Sequence, residues 1–83
     1  MIRIKNFTPL KDFILKVTFD DNKTVLYDVK EDMETLPKYE ELAKLELFPL
    51  AKLDNSRTCI YWNSYIDLPS DTIYKYGKPI TDN

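Results

Sequence analysis

Two adjacent segments in which apolar and polar side chains alternate constrain this fold more than any other feature of the sequence. The apolar positions are Phe13, Leu15, Val17 and Phe19 in the first segment, and Val25, Tyr27 and Val29 in the second. A period of two places one face of a strand on a core and the other in water. The intervening Asp21-Asn22 pair tolerates positive φ, so the pattern predicts a β-hairpin.

The segments around the hairpin predict one more strand and one helix. Residues 2–7 alternate and are expected to pair with the hairpin as a strand that ends at Thr8-Pro9. Residues 30–37 are acidic and lack a period, which indicates a loop or a single turn. Residues 39–48 have helical spacing and predict a short amphipathic helix that ends before Pro49. Its apolar face consists of Tyr39, Leu42, Ala43 and Leu45.

The last third of the chain predicts two strands and a second helix. The strands cover residues 50–54 and 58–62, and the helix covers residues 70–76. Gly77, the one glycine, is expected in a left-handed position just after this helix. The predicted order is βββ-α-ββ-α in one domain, residues 1–83. The predicted fold class is therefore α+β, a small antiparallel β-sheet built on an N-terminal hairpin or meander, with two short helices.

The composition excludes most catalytic chemistry. The 83 residues include no histidine and one cysteine, so Ser-His-Asp and Cys-His sites and histidine-containing zinc sites are ruled out. Cys59 has no cysteine partner in the chain, and it is expected to be a buried small hydrophobe and not a reactive thiol. We predict no catalytic, metal-binding or cofactor-binding residue and no small-molecule substrate, and we do not expect an enzyme.

Charge and hydropathy bear on location and on nucleic acids. Fourteen acidic and twelve basic residues leave a net charge of −2, so nucleic acid is not the expected partner. The N-terminus begins with alternation and not with the apolar run of a signal peptide. No stretch approaches the ~20 apolar residues of a membrane span. A cytoplasmic protein that does not bind a membrane is predicted.

Several short motifs resemble a known family. The hairpin motif is Phe19-Asp20-Asp21-Asn22 followed by Tyr27-Asp28, and the second half contributes Leu42, Phe48, Leu53-Asp54, Ile60-Tyr61-Trp62-Asn63, Ile66-Asp67-Leu68 and Ile73-Tyr74. Together, over residues 2–77, they resemble the small bacterial domain-of-unknown-function family 2442. The chain departs from the family at Asn22, where glycine is usual, and at Ile73, where leucine is common.

The resemblance implies a partner-binding module without catalytic residues. Members of that family are encoded beside a second family of unknown function, 4160, in arrangements that suggest toxin–antitoxin pairs. An antitoxin-like partner of a small basic protein is therefore implied. Some relatives carry an added helix-turn-helix domain, which is not expected here because the chain ends at Asn83, soon after its last predicted helix.

The middle of the chain is the first candidate for partner binding. Residues 28–54 contain eight acidic and four basic residues, a local charge of −4. This surface, with Glu40, Glu41 and Glu46 as its candidate residues, could steer a basic partner. The alternative is a solvated face that only keeps the protein soluble.

Aromatic and polar side chains between residues 61 and 67 form the second candidate. Tyr61, Trp62, Asn63 and Asp67 could line a binding patch, because tryptophan and tyrosine often anchor interfaces. Alternatively, Trp62 closes the core while Asn63 and Asp67 hydrogen-bond the turn before the last helix. In that helix, the spacing of Tyr74 and Tyr76 allows only one of them to face the core.

Two functions follow from these candidates. The first is a protein-interaction module that presents the acidic middle or an open sheet edge to a protein partner or to a second copy. The second is a nucleic-acid-binding transcriptional regulator or accessory domain. It would use the four cations of the first strands, Arg3, Lys5, Lys16 and Lys23.

Overall fold

The secondary structure forms an α+β fold, as the sequence predicted. A computed structural model describes residues 2–44 and 46–80. The strands are β1 (Ile4–Leu10), β2 (Ile14–Phe19), β3 (Thr24–Asp28), β4 (Lys52–Leu53), β5 (Cys59–Tyr61), β6 (Asp67–Pro69) and β7 (Lys78–Ile80). The helices are α1 (Val29–Thr35), α2 (Glu41–Lys44) and α3 (Ser70–Tyr76). Turns of 3₁₀ helix cover Lys11–Phe13, Pro37–Glu40 and Phe48–Leu50.

The strands form two antiparallel sheets where one was expected. The first sheet has the order β1-β2-β3-β7, and the second has the order β4-β5-β6. Both β6 and β7 are three residues long and contain a proline, so neither shows an alternating pattern that the sequence could reveal. They extend the predicted order without changing its class.

The predicted hairpin is confirmed in β2 and β3. Phe19 N donates to Lys23 O at 2.9 Å, and Asn22 N donates to Phe19 O at 2.9 Å. Asn22 has φ 70°, as a loop of this kind requires at its last residue. The strand begins at Ile14 and not at Phe13, because Phe13 has φ 61° and belongs to the preceding 3₁₀ turn.

Strand β1 runs past its predicted end. It includes Thr8 and Pro9 and continues to Leu10, which pairs with Ile14. Because β1 is the outer strand of its sheet, Pro9 can lie in it without leaving a neighbouring carbonyl unpaired.

The segment between the two sheets differs most from the sequence prediction. Residues 30–37 were expected to form a loop, but most of them belong to the two-turn helix α1. The carboxylate of Asp28 caps the start of this helix, because it accepts a hydrogen bond from Lys30 N. Val29 and Met33 are one helical turn apart, and both pack against the core.

Helix α2 is shorter than the helix predicted for residues 39–48. Glu46 has φ 53°, and Leu47 N donates to Leu42 O at 3.1 Å while Glu46 N donates to Ala43 O at 3.3 Å. These are the two bonds of a Schellman motif, which ends a helix. Ala43 is exposed and does not face the core, and Leu45 lies outside the described residues.

Helix α3 is confirmed, but the role predicted for Gly77 is wrong. Gly77 has φ −66° and ψ 149°, which any residue can adopt. Its importance is space: a Cβ atom here would lie 2.6 Å from Ile73 O and 2.6 Å from Val25 Cγ2. The chain needs glycine here because α3 and β3 approach each other closely.

One core joins the two sheets. Fully buried side chains come from the inner face of the first sheet, from α1, α2 and α3, and from the second sheet with its loop: Ile4, Leu15, Val17, Phe19, Val25, Val29, Leu42, Ile60, Ile66 and Ile73. At the rim, Arg57 makes two parallel hydrogen bonds to Asp20 at 2.9 and 3.0 Å, and Ile4 N donates to Arg57 O at 2.7 Å. Arg57 therefore connects the turn of the second sheet to the hairpin loop of the first.

Candidate functional site

An acidic surface extends over α1, the 3₁₀ turn that follows it, and α2. Each of these elements contacts the next one along the chain, and each has exposed glutamate side chains. We call this region the acidic surface and define it by its exposed glutamates: Glu31, Glu34, Glu40, Glu41 and Glu46. Tight local bonds shape it, since Leu36 N donates to Asp32 O at 2.7 Å and Tyr39 N donates to Leu36 O at 3.0 Å.

A groove of about 470 Å³ lies between α1 and α3 beside this surface. It is lined by Tyr27, Asp28, Glu31, Asp32, Tyr76 and Lys78, among others. Three of these residues carry a carboxylate and one carries an ammonium group. Tyr76 is 67% exposed, so much of its phenol ring is open to solvent.

The walls of the groove are held in place by hydrogen bonds at the start of α1. Asp28 Oδ1 accepts from Lys30 N at 2.9 Å, and Tyr27 Oη donates to Asp32 Oδ2 at 2.6 Å. Burial, together with the Asp32 carboxylate, raises the pKa of Tyr27 well above its usual value. The Tyr27 phenol therefore remains a neutral donor at physiological pH and orients Asp32.

The structure places the predicted residues Glu40, Glu41 and Glu46 in the exposed part of the acidic surface. Glu40 ends the 3₁₀ turn, Glu41 begins α2, and Glu46 lies in the Schellman motif after that helix. Exposure at these three positions is compatible with partner binding and with a purely solvating role.

The predicted cluster at residues 61–67 divides between core and surface. Trp62 is only 8% exposed, stacks on Phe48 with ring centroids 6.0 Å apart, and donates from Nε1 to Phe48 O at 2.9 Å. Asn63 Oδ1 accepts from Tyr65 N and Ile66 N at 2.8 and 2.9 Å, which closes the loop between β5 and β6. Tyr61 is half-buried. Trp62 and Asn63 thus have structural roles that the sequence offered as the alternative.

Tyr39 brings the two predicted regions next to each other. Its hydroxyl donates to Asp67 O at 2.6 Å, which joins the 3₁₀ turn before α2 to the start of β6. Burial raises the pKa of Tyr39 to about 12. Asp67 itself is exposed. The acidic surface and the loop at residues 61–67 are therefore neighbours, although Tyr39 and Asp67 are 28 positions apart in the chain.

The outer strands of both sheets are poor sites for pairing with another chain. Within the described residues, three of the four outer strands contain a proline, namely Pro9 in β1, Pro69 in β6 and Pro79 in β7. The fourth, β4, is two residues long. Proline and short length are devices that oppose strand addition at sheet edges. The acidic surface is therefore the better candidate than an open sheet edge.

Sequence reasoning missed most of the groove. Glu31 and Asp32 fell in a segment expected to be a loop, and Lys78 belongs to a strand that was not predicted. Tyr76 was foreseen in part, because the spacing of the two tyrosines in α3 required one at the surface. Tyr74 is the inward one: it packs edge-to-face on Phe19 with centroids 5.0 Å apart.

Other chemistry is sparse in the described residues. Cys59 is half-buried, and burial raises the pKa of its thiol, which keeps it protonated. In residues 2–44 and 46–80, histidine, cysteine and carboxylate side chains form no group of three that could hold a metal ion. Across the same residues, no helix is both long enough and apolar enough to cross a membrane.

Comparison with protein-family models, with curated proteins and with solved structures finds no match to this chain.

Proposed function

We propose that the protein is a non-enzymatic, cytoplasmic interaction module that binds a small basic partner protein through the acidic surface. The observation that carries this proposal is the concentration of exposed acidic residues on one segment. Four exposed glutamates lie on three elements that contact one another in chain order, and a fifth, Glu46, follows α2. Complementary charge of this kind accelerates encounter and selects partners of opposite charge. The family resemblance of the motifs supports the same role and suggests an antitoxin-like relation to the partner.

The charge of the surroundings supports a basic partner. Residues 28–54 have a charge of −4, whereas residues 1–27 have five basic and three acidic side chains, a charge of +2. A cationic protein is therefore attracted to the segment that contains the acidic surface more than to the N-terminal segment. The same asymmetry repels nucleic acid from the acidic surface, and the few cations of β1 and β2 would neutralise few phosphates.

The test compares two variants that change net charge equally. The first carries Glu40→Gln, Glu41→Gln and Glu46→Gln on the acidic surface. The second carries Asn6→Lys, Thr8→Lys and Asn55→Lys at exposed positions elsewhere. Each triple substitution raises the net charge by three, so a difference between them reports location and not total charge.

The readout is affinity capture of each tagged form at endogenous level, with mass spectrometry and a nuclease-treated control. We expect the wild type and the lysine variant to recover one small basic protein in stoichiometric amount. We expect the glutamine variant to lose it, and added salt to weaken the capture. Equal capture by both variants would discard the acidic surface. Recovery that disappears with nuclease would replace the proposal by the nucleic-acid-binding alternative.

A further inference from the structure

We propose that the groove between α1 and α3 binds one arginine side chain of the basic partner, with its guanidinium group between the Tyr76 ring and the carboxylates of Asp28 and Glu31. This inference rests on the proposed function and specifies where on the molecule the partner is anchored. It adds to the acidic surface a site with defined walls.

The carboxylates of the groove form no ion pair among the described residues, although Lys78 lines the same groove. In the described part of the chain, no lysine or arginine forms an ion pair with Asp28, Glu31 or Asp32. Asp28 and Asp32 each use one oxygen in a hydrogen bond within the protein, which fixes the carboxylates and leaves the second oxygen to other donors. A guanidinium group supplies several donors in a planar fork, and this geometry suits carboxylates held in place.

The exposed aromatic wall distinguishes this groove from a cluster of acids. Tyr76 lines the same groove as the carboxylates and is 67% exposed. A cation already approaches this ring, since Lys75 Nζ lies 5.3 Å from its centroid. A guanidinium group stacks on an aromatic face as well as pairing with carboxylates, which an ammonium group does less well.

The groove is built on packed secondary structure and is of limited size. Tyr76 precedes Gly77, whose backbone packs directly on Val25 of β3, and Asp28 both ends β3 and caps α1. At about 470 Å³ the groove is in the lower part of the range of ligand pockets, and it is open on one side. These dimensions fit one side chain that enters from a partner's surface.

The probe is the blocked tripeptide acetyl-Gly-Arg-Gly-amide, titrated into the ¹⁵N-labelled full chain at low salt and followed by NMR. Its matched control replaces arginine by citrulline, which has the same shape without the charge. We expect the arginine peptide to shift the amide signals of Glu31, Tyr76 and Lys78, and the citrulline peptide to leave them unchanged. A lysine peptide is expected to bind more weakly.

Variants of the protein test each wall. Tyr76→Ala and Glu31→Gln are each expected to weaken binding about fivefold, equivalent to about 1 kcal/mol. Tyr76→Phe keeps the ring and is expected to bind as the wild type does. Glu41→Gln removes the same charge outside the groove and is expected to change the affinity less than twofold.

Several results would overturn the inference. The citrulline peptide could shift the amide signals as much as the arginine peptide, or the lysine peptide could bind as tightly. The Tyr76→Ala variant could bind the arginine peptide with the affinity of the wild type. The arginine peptide could also cause no shift at its highest concentration. None of these results bears on capture of the partner through Glu40, Glu41 and Glu46. Failure of the arginine-binding proposal can therefore be distinguished from failure of the proposed function.

Discussion

The two sheets of this protein are stabilised in different ways. In the first, β2 pairs along its whole length with β1 and from Ile14 to Thr18 with β3. Leu15, Val17 and Phe19 of β2 and Val25 of β3 are fully buried on the inner face of this sheet. In the second, strands of two or three residues offer only short ladders. There, side chains supply the missing bonds, as Trp62 does to Phe48 O and Asn63 to the loop before β6.

This difference separates two sources of stability. The first sheet depends on close packing, so changes in volume are expected to harm it most. The second depends on individual side-chain hydrogen bonds, so the loss of one acceptor or donor is expected to harm it most. The acidic surface lies on the segment between the two sheets, and its shape depends on both.

The largest effect is expected where α3 packs on the first sheet. Gly77→Ala would place a Cβ atom 2.6 Å from both Ile73 O and Val25 Cγ2, so helix and strand must separate. We expect a loss of about 1–3 kcal/mol in the free energy of unfolding, measured in urea. Lys75→Ala, an exposed position of the same helix, is the control and is expected to stay within about 0.5 kcal/mol. If Gly77→Ala leaves the free energy of unfolding unchanged, the close approach of α3 and β3 does not require glycine at this position.

The second sheet is expected to respond to a polar deletion. Asn63→Ala removes the acceptor of Tyr65 N and Ile66 N, and we expect a loss of about 1 kcal/mol. Amide hydrogen exchange should accelerate in β5 and β6 more than in β2 and β3. Asn63→Asp keeps the acceptor and should retain most of the stability. If Asn63→Ala and Asn63→Asp lower the free energy of unfolding equally, the hydrogen bonds accepted by residue 63 do not stabilise this loop.

The junction between the acidic surface and the second sheet is expected to depend on pH. The fold raises the pKa of Tyr39 from 10.0 to about 12, so the folded state retains a proton that the unfolded chain releases. Stability is therefore complete below pH 10 and falls between pH 10 and 12. Tyr39→Phe should be about 1 kcal/mol less stable at neutral pH, because Asp67 O loses its donor, and its decline at alkaline pH should be shallower.

The control for this titration is Tyr65→Phe, because Tyr65 is 76% exposed. Its alkaline decline should match that of the wild type in urea unfolding curves recorded from pH 8 to pH 12. A Tyr39→Phe curve parallel to the wild type would assign the alkaline loss to other groups.

The smallest effect is expected to be a gain. Glu46 has φ 53°, a conformation that disfavours residues with a Cβ atom, and Glu46→Gly should raise the free energy of unfolding by about 0.5 kcal/mol. Ala43→Gly, at an exposed position inside α2, should have the opposite sign, because glycine weakens a helix interior. Thermal unfolding of both variants checks the pair, and a loss in Glu46→Gly would contradict the Schellman geometry.

The candidate site was less predictable from the sequence than the fold. Helical spacing predicted exposed positions for Glu40, Glu41 and Glu46, but Glu46 lies beyond the end of α2 and is exposed for a different reason. Helical spacing also predicted a surface tyrosine in α3. The groove did not follow, because Glu31, Tyr76 and Lys78 meet only after α1, α3 and β7 are arranged around β3. Residues so far apart in the chain leave no periodic signal of their proximity.

By itself, the sequence determined the secondary-structure elements that depend on interactions between residues close together in the chain. Alternation over residues 13–29 specified the hairpin, since a one-residue slip would turn every apolar side chain to water. A proline before the helix, an acidic residue in its first turn and a basic residue in its last turn specified α3. The α+β class followed from these elements and their sequence along the chain.

Only the tertiary structure decided the rest. Helix α1 has two apolar residues in seven and needs the core contacts of Val29 and Met33, because so short a helix is not stable alone. Strands β6 and β7 exist because neighbouring strands offer them partners, and Gly77 is required by the position of Val25 and not by its own backbone angles. The common physical reason is that these features are stabilised by contacts between segments distant in the chain, which no local pattern records.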